Sequence, residues 1–280
     1  MRFGDRKRSA TRCWWVVVCV VAVTLVGVLG CVTEPITGRY MLGVIPEGEA
    51  NNMGDLAYKQ LLEDAKITPD ASQAELVERV GSRIAAVVDA RMQEAGRDLY
   101  QWEFKVIDAP ETVNAFALPG GKVAFYTGIL PICQTEAGVA VVMGHEIAHA
   151  YGQHGRKRVS EGAVSQFGLE AVTLALGGDE MTETSKLAVA ALGVGYQVGV
   201  QLPFSRGDES AADHIGLILM AEAGYDPREA PEFWKRMAAT TGSGPAEFLS
   251  THPSPETRVE QLEELMPDVL AIYEARKNSQ

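Results

Sequence analysis

Cysteine is nearly absent from this 280-residue chain, which has only Cys13, Cys19, Cys31 and Cys133. The first two fall in an N-terminal apolar stretch and the third closes it, so Cys133 stands alone and an internal disulfide framework is excluded. Cys133 reads as a small core residue rather than a nucleophile. Positive charge is scarce too. The formal net charge is −12, and residues 1–30 carry five basic side chains against the single Asp5, which leaves about −16 for the rest. So acidic a body is a poor partner for nucleic acid, because phosphate neutralisation needs Lys and Arg. Uninterrupted apolar runs are missing beyond residue 30: Glu161, Gln166 and Glu170 break the segment 156–176, and Gln197 breaks 185–200. These two segments read as an α-hairpin. No internal repeat or low-complexity segment stands out.

What is present begins with a secretion signal. A basic stretch from Arg2 to Arg12 precedes an apolar run from Cys13 to Gly30, and Val28-Leu29-Gly30-Cys31 resembles a bacterial lipobox. Cys31 is then the lipidated N-terminus of the mature protein. Leu29 is larger than the residue usual at its place, and an uncleaved anchor is the rival reading, since about 17 apolar residues just span a bilayer. Both readings tether the body to a membrane, on the periplasmic side of a bacterial cell envelope. The chain divides into residues 1–30 as signal or anchor, 31–46 as linker with a turn at Glu34 to Arg39, and 47–280 as the folded domain.

Periodicity in that domain predicts an α+β fold, mainly helical. Apolar residues recur at helical spacing from Glu47 to Ala65 and from Ser72 to Ala95. The period then falls to two, giving strands at 102–106, 113–118 and 122–127, the last two separated by Pro119-Gly120-Gly121. A small sheet therefore precedes the apolar segment from Glu136 to Tyr151, which reads as a buried helix. Asn114, Ala115 and Phe116 are the candidate edge at which a peptide could add as a further strand.

That helix carries His145-Glu146-Ile147-Ala148-His149. Histidines four apart project from one face a turn apart, so both can reach one Zn²⁺, and the glutamate between them can hold the attacking water. Imidazole and carboxylate groups are seldom buried unless paired or bound to metal, which favours the metal reading here. A catalytic zinc takes three protein ligands. Glu209, about 60 residues later, is the candidate third, with Asp213 on the same helical face placed to accept the N–H of a ligand histidine.

The chain resembles the zinc metallopeptidases of the HtpX, CAAX prenyl endopeptidase and BepA/LoiP lineage, most of all their periplasmic lipoprotein members. The resemblance rests on Asn114-Ala115-Phe116-Ala117-Leu118-Pro119-Gly120-Gly121, His145 to His149, Glu209-Ser210-Ala211-Ala212-Asp213 and Ser250-Thr251-His252-Pro253-Ser254-Pro255, and extends to Glu34 to Arg39. It implies a gluzincin fold with one Zn²⁺ on His145, His149 and Glu209, and Glu146 as general base. It also implies endopeptidase activity on misfolded or stalled envelope proteins, among them outer-membrane proteins. A latent zincin working as a chaperone or assembly factor is the alternative. His252 matches a position that can plug the open coordination site in some relatives, so it is a candidate latch or transition-state donor, with a loop-packing role equally open. His154, about a turn and a half beyond His149 on a continuous helix, is expected outside the metal's ligands, and Arg258 is expected in a surface ion pair.

Overall fold

The computed structural model describes residues 30–175, 204–240 and 255–278, with the side chains of 166–175 and 255–257 left aside. Among the described residues the expected helices and strands are present. The chain runs β1 (Cys31–Thr33), β2 (Tyr40–Leu42), α1 (Glu47–Asp64), α2 (Ala71–Glu94), β3 (Glu103–Ile107), β4 (Ala115–Leu118), β5 (Lys122–Tyr126), a 3₁₀ turn (Thr127–Ile129) and α3 (Leu130–Cys133). It continues through α4 (Glu136–Tyr151), α5 (His154–Ala175), α6 (Arg206–Glu222), α7 (Glu229–Thr240) and α8 (Pro255–Asn278). The fold is α+β and mainly helical. Among the described residues no helix is long and apolar enough to cross a membrane.

The three-stranded sheet has the order β3-β5-β4, with β3 parallel and β4 antiparallel to β5. Alternation along the strands serves two cores. Phe104 and Val106 of β3, Ala115 and Ala117 of β4, and Val123 and Phe125 of β5 face the larger one, with α2 and α4. Phe116, Leu118 and Ala124 face the other way, against Tyr58 and Leu61 of α1. The β4–β5 connection needs Gly120 and Gly121, whose φ values of 84° and 88° lie in the left-handed region. A Cβ on Gly121 would also stand 2.7 Å from the Trp102 ring.

Helix α4 is the axis of the domain. Thr135 caps it by accepting from the Gly138 N–H, and every residue from Gly138 to Tyr151 is buried. Sheet, α2 and α6 surround it, which is why its sequence is apolar on all sides. Helix α6 comes closest, because Gly144 and Gly216 face each other with no side chain between them.

Residues 31–46, expected as a linker, are packed against the body. Strands β1 and β2 pair antiparallel, and Arg156 of α5 donates to the carbonyls of Ile45 (2.6 Å) and Gly43 (2.8 Å). Arg39 bonds to Asp208 at the start of α6, where Lys157 also meets the same carboxylate at 2.7 Å. The turn between the strands holds Ile36 and Gly38 at φ of 69° and 70°.

Candidate metal centre

His145 and His149 are four positions apart on α4, and the helical turn sets both rings facing α6. Their Nε2 atoms stand 3.1 Å apart. Glu209 enters from the first turn of α6, which Ser205 caps, and places Oε2 3.4 Å from His145 Nε2 and Oε1 3.4 Å from His149 Nε2. Ligands held tetrahedrally at zinc's usual distances are about 3.3 Å from one another, close to the spacing here between the two nitrogens and between each nitrogen and a Glu209 oxygen. Two neutral nitrogens and one carboxylate oxygen are also a donor set of hydrolytic zinc sites. Among the described residues His145, His149 and Glu209 make the one cluster able to hold a metal, and all three are buried.

Were a metal ion bound by Nε2 of each histidine, Nδ1 would carry the proton and need an acceptor behind it. His145 has Asp213, whose Oδ1 lies 3.0 Å from Nδ1, as the spacing of Glu209 and Asp213 suggested. His149 has His154 at 2.9 Å, and His154 in turn meets Glu34 Oε1 through Nε2 at 2.6 Å. His154 is not a ligand, but it is not remote either. The extrapolation along a continuous helix missed this, because α4 ends at Tyr151 and Gln153 turns back at φ 59°, starting α5 on top of His149. Phe204 stacks on the His149 ring with centroids 4.0 Å apart, and Arg158 lies over Phe204.

Arg258 corrects a sequence expectation. It is buried, donating to Glu209 at 3.1 Å and to both oxygens of Asp213, with its guanidinium 3.8 Å above the Trp234 ring. Helix α8 packs against α6 and α7, so the face of α8 bearing Arg258 is interior rather than solvated. One cation thus sits between Glu209 and Asp213 of α6.

Burial holds His149 well below the usual imidazole range, as a neutral ligand requires. Burial and the Arg258 charge also disfavour a cationic His145, yet the carboxylates of Asp213 and Glu209 outweigh them and push it up to about 9. The pocket therefore attracts positive charge at this ring. Glu146, fully buried, is pushed up to about 8 by burial and by Glu209, against His145, Arg258 and a bond from the Ala117 backbone N–H. A divalent cation between the three donors would favour its ionised form.

The Ala117 contact places β4 beside the centre. Asn114 O accepts from Tyr126 N–H, which makes 114, 116 and 118 the positions bonded to β5 and turns the backbone groups of 115 and 117 to the outer edge. Ala115 and Phe116 thus lie on the edge strand of this sheet and Asn114 directly precedes it, with Asn114 Oδ1 accepting from the Ala115 N–H. Cys133 is buried, with its thiol pushed up to about 12 by burial, in keeping with a core role. Cys31 is exposed on β1. His252 and the second half of the expected hairpin lie outside the described residues.

Residues 74–266 match the model of Peptidase family M48. The mitochondrial metalloendopeptidase OMA1 of Schizosaccharomyces pombe is 38% identical over 241 residues, 84% of this chain and 66% of that protein. The Arabidopsis thaliana OMA1 is also 38% identical, over 61% of this chain and 33% of its own length. A putative beta-barrel assembly-enhancing protease of Vibrio cholerae is 30% identical over 74% of this chain and 42% of its own. The chain spans between one third and about two thirds of the length of these relatives.

Proposed function

Because the chain belongs to peptidase family M48, we propose that it is a zinc-dependent endopeptidase with His145, His149 and Glu209 as ligands of one Zn²⁺ and Glu146 as general base. The observation that carries this reading is the convergence of three buried donors, the two Nε2 atoms 3.1 Å apart and each 3.4 Å from one of the two Glu209 oxygens, with a buried carboxylate, Glu146, on the helix of the histidines. Bound zinc supplies Lewis acidity, bringing the pKa of water toward 7 and polarising a peptide carbonyl. Glu146 takes the proton of the attacking water and delivers it to the leaving amine. Asp213 and Arg258 hold His145 and Glu209 in place. A substrate in extended form lies along the outer edge of β4, where the Ala115 and Ala117 carbonyls accept from its N–H groups and fix its position beside Glu146.

The proposed setting is a membrane-tethered, periplasm-facing protein of a bacterial envelope, joined through lipid on Cys31 or through an anchor before it, and degrading misfolded or stalled envelope proteins. The exposure of Cys31 and its place at the rim of the hairpin support the tether. The relative named for beta-barrel assembly supports outer-membrane proteins as substrates. Those named as mitochondrial metalloendopeptidases support the endopeptidase activity itself.

Digestion of an unfolded, casein-like protein by the full chain tests the activity. The wild type cleaves it, and Glu146→Gln loses at least about 10²-fold of the rate while keeping its zinc, since general-base catalysis contributes on that order. Retention of more than a few per cent of the rate in Glu146→Gln would remove Glu146 from the role.

A further inference from the structure

We infer that Glu34 is a positioning residue of the metal centre, holding His149 through His154, so that the N-terminal hairpin governs how tightly zinc is bound. The inference rests on His149 being a metal ligand. Its basis is a chain of two contacts in which the direction of each proton is determined. Zinc on His149 Nε2 requires the proton on Nδ1, which is 2.9 Å from His154 Nδ1. That nitrogen must then be the acceptor, so His154 carries its proton on Nε2 and donates it to Glu34 Oε1 at 2.6 Å. His145 has the shorter version of the same arrangement, ending on Asp213. Each ligand histidine is thus backed by a carboxylate, one directly and one through a second imidazole.

Nothing in the proposed reaction uses Glu34 or His154, yet both are among the most buried polar groups of the described chain, at 1% and 0% exposure. A carboxylate in such a place must be paired, and Glu34 is: His154 and Arg39 Nη2 (3.2 Å) meet Oε1, and the Thr37 hydroxyl meets Oε2. All but His154 belong to the same turn, which folds on itself through Glu34 N–H to Arg39 O (2.8 Å) and Gly38 N–H to Glu34 O (3.1 Å). The turn is anchored in its own right by Arg39 to Asp208 and by Arg156 to Gly43 and Ile45. Glu34 is three positions beyond the proposed lipid site, Cys31, so the segment proposed to tether the protein also buttresses a metal ligand.

The test is zinc affinity of the full chain by chelator competition, with the visible spectrum of the Co²⁺ form as a report on ligand geometry. His154→Phe fills the space without ring nitrogens and weakens zinc binding about 10- to 100-fold, the usual effect of removing a partner behind a ligand. Glu34→Gln keeps the shape and an acceptor but not the charge, and weakens binding about tenfold with a shifted Co²⁺ band. Tyr40→Ala, on the exposed side of the same hairpin, changes neither. Wild-type affinity and an unchanged Co²⁺ spectrum in Glu34→Gln, with the fold intact by circular dichroism, would overturn the inference. A wild-type chain that binds no zinc would instead remove the metal reading itself, and this one with it.

Discussion

Gly216→Ala isolates what the closeness of α4 and α6 does for the metal centre. In an open helix the change should stabilise, because alanine is better than glycine by up to about 1 kcal/mol. At Gly216 a Cβ would stand 2.9 Å from the Gly144 carbonyl carbon, 3.0 Å from its oxygen and 3.0 Å from the His145 nitrogen. All three are backbone atoms, so no side chain can swing aside. Restoring ordinary contact needs the helices to part by about half an ångström, and overpacking of this kind costs about 1–3 kcal/mol. The helix gain is therefore outweighed. The same displacement moves Glu209 away from His145 and His149, whose donors must keep metal distances within about 0.2 Å. Zinc affinity should fall about tenfold or more. Urea unfolding in chelator reads the first effect and chelator competition the second. Gly48→Ala, at an exposed position of α1 with nothing within 4 Å of the new methyl, serves as the control and leaves both unchanged or slightly improved. A Gly216→Ala chain at least as stable as wild type, with unaltered zinc binding, would refute the reasoning.

Arg258→Ala leaves Glu209 and Asp213 buried without the cation between them, and breaking such a pair costs about 3–5 kcal/mol. The urea midpoint should drop accordingly in chelator and recover in part with zinc, which supplies positive charge to Glu209. Arg258→Lys keeps the charge but cannot span both carboxylates, so its midpoint should lie between the two. A midpoint unchanged in Arg258→Ala would show that the two carboxylates do not depend on it.

The parts of the centre legible in the sequence are those whose partners lie within one or two helical turns. His145 and His149 are fixed by a spacing of four on a helix whose apolar surroundings announce its burial, and Glu209 and Asp213 by the same spacing on α6. The sheet was legible for a similar reason, since the alternation of Trp102, Phe104 and Val106 and the glycines at 120 and 121 are local signals. Glu34 was not, because its partner lies 120 positions away and a carboxylate beside a Pro-Gly turn looks like any solvated loop. His154 was misplaced by assuming a straight helix through Gly152 and Gln153, where the left-handed Gln153 redirects the chain. Arg258 looked like a surface charge because nothing in its own segment tells that α8 lies on Trp234 and α6. In each case what was missed is a contact between elements, which periodicity cannot carry.

The central claim is that His145, His149 and Glu209 together hold one zinc, and the most direct test is X-ray absorption at the zinc edge with metal content on the same full-length sample. The account predicts close to one zinc per chain, with two imidazoles and carboxylate oxygen at about 2.0–2.2 Å, and loss of the metal on dialysis of Glu209→Ala. Zinc retained in full by Glu209→Ala, or a first shell without two imidazoles, would contradict it.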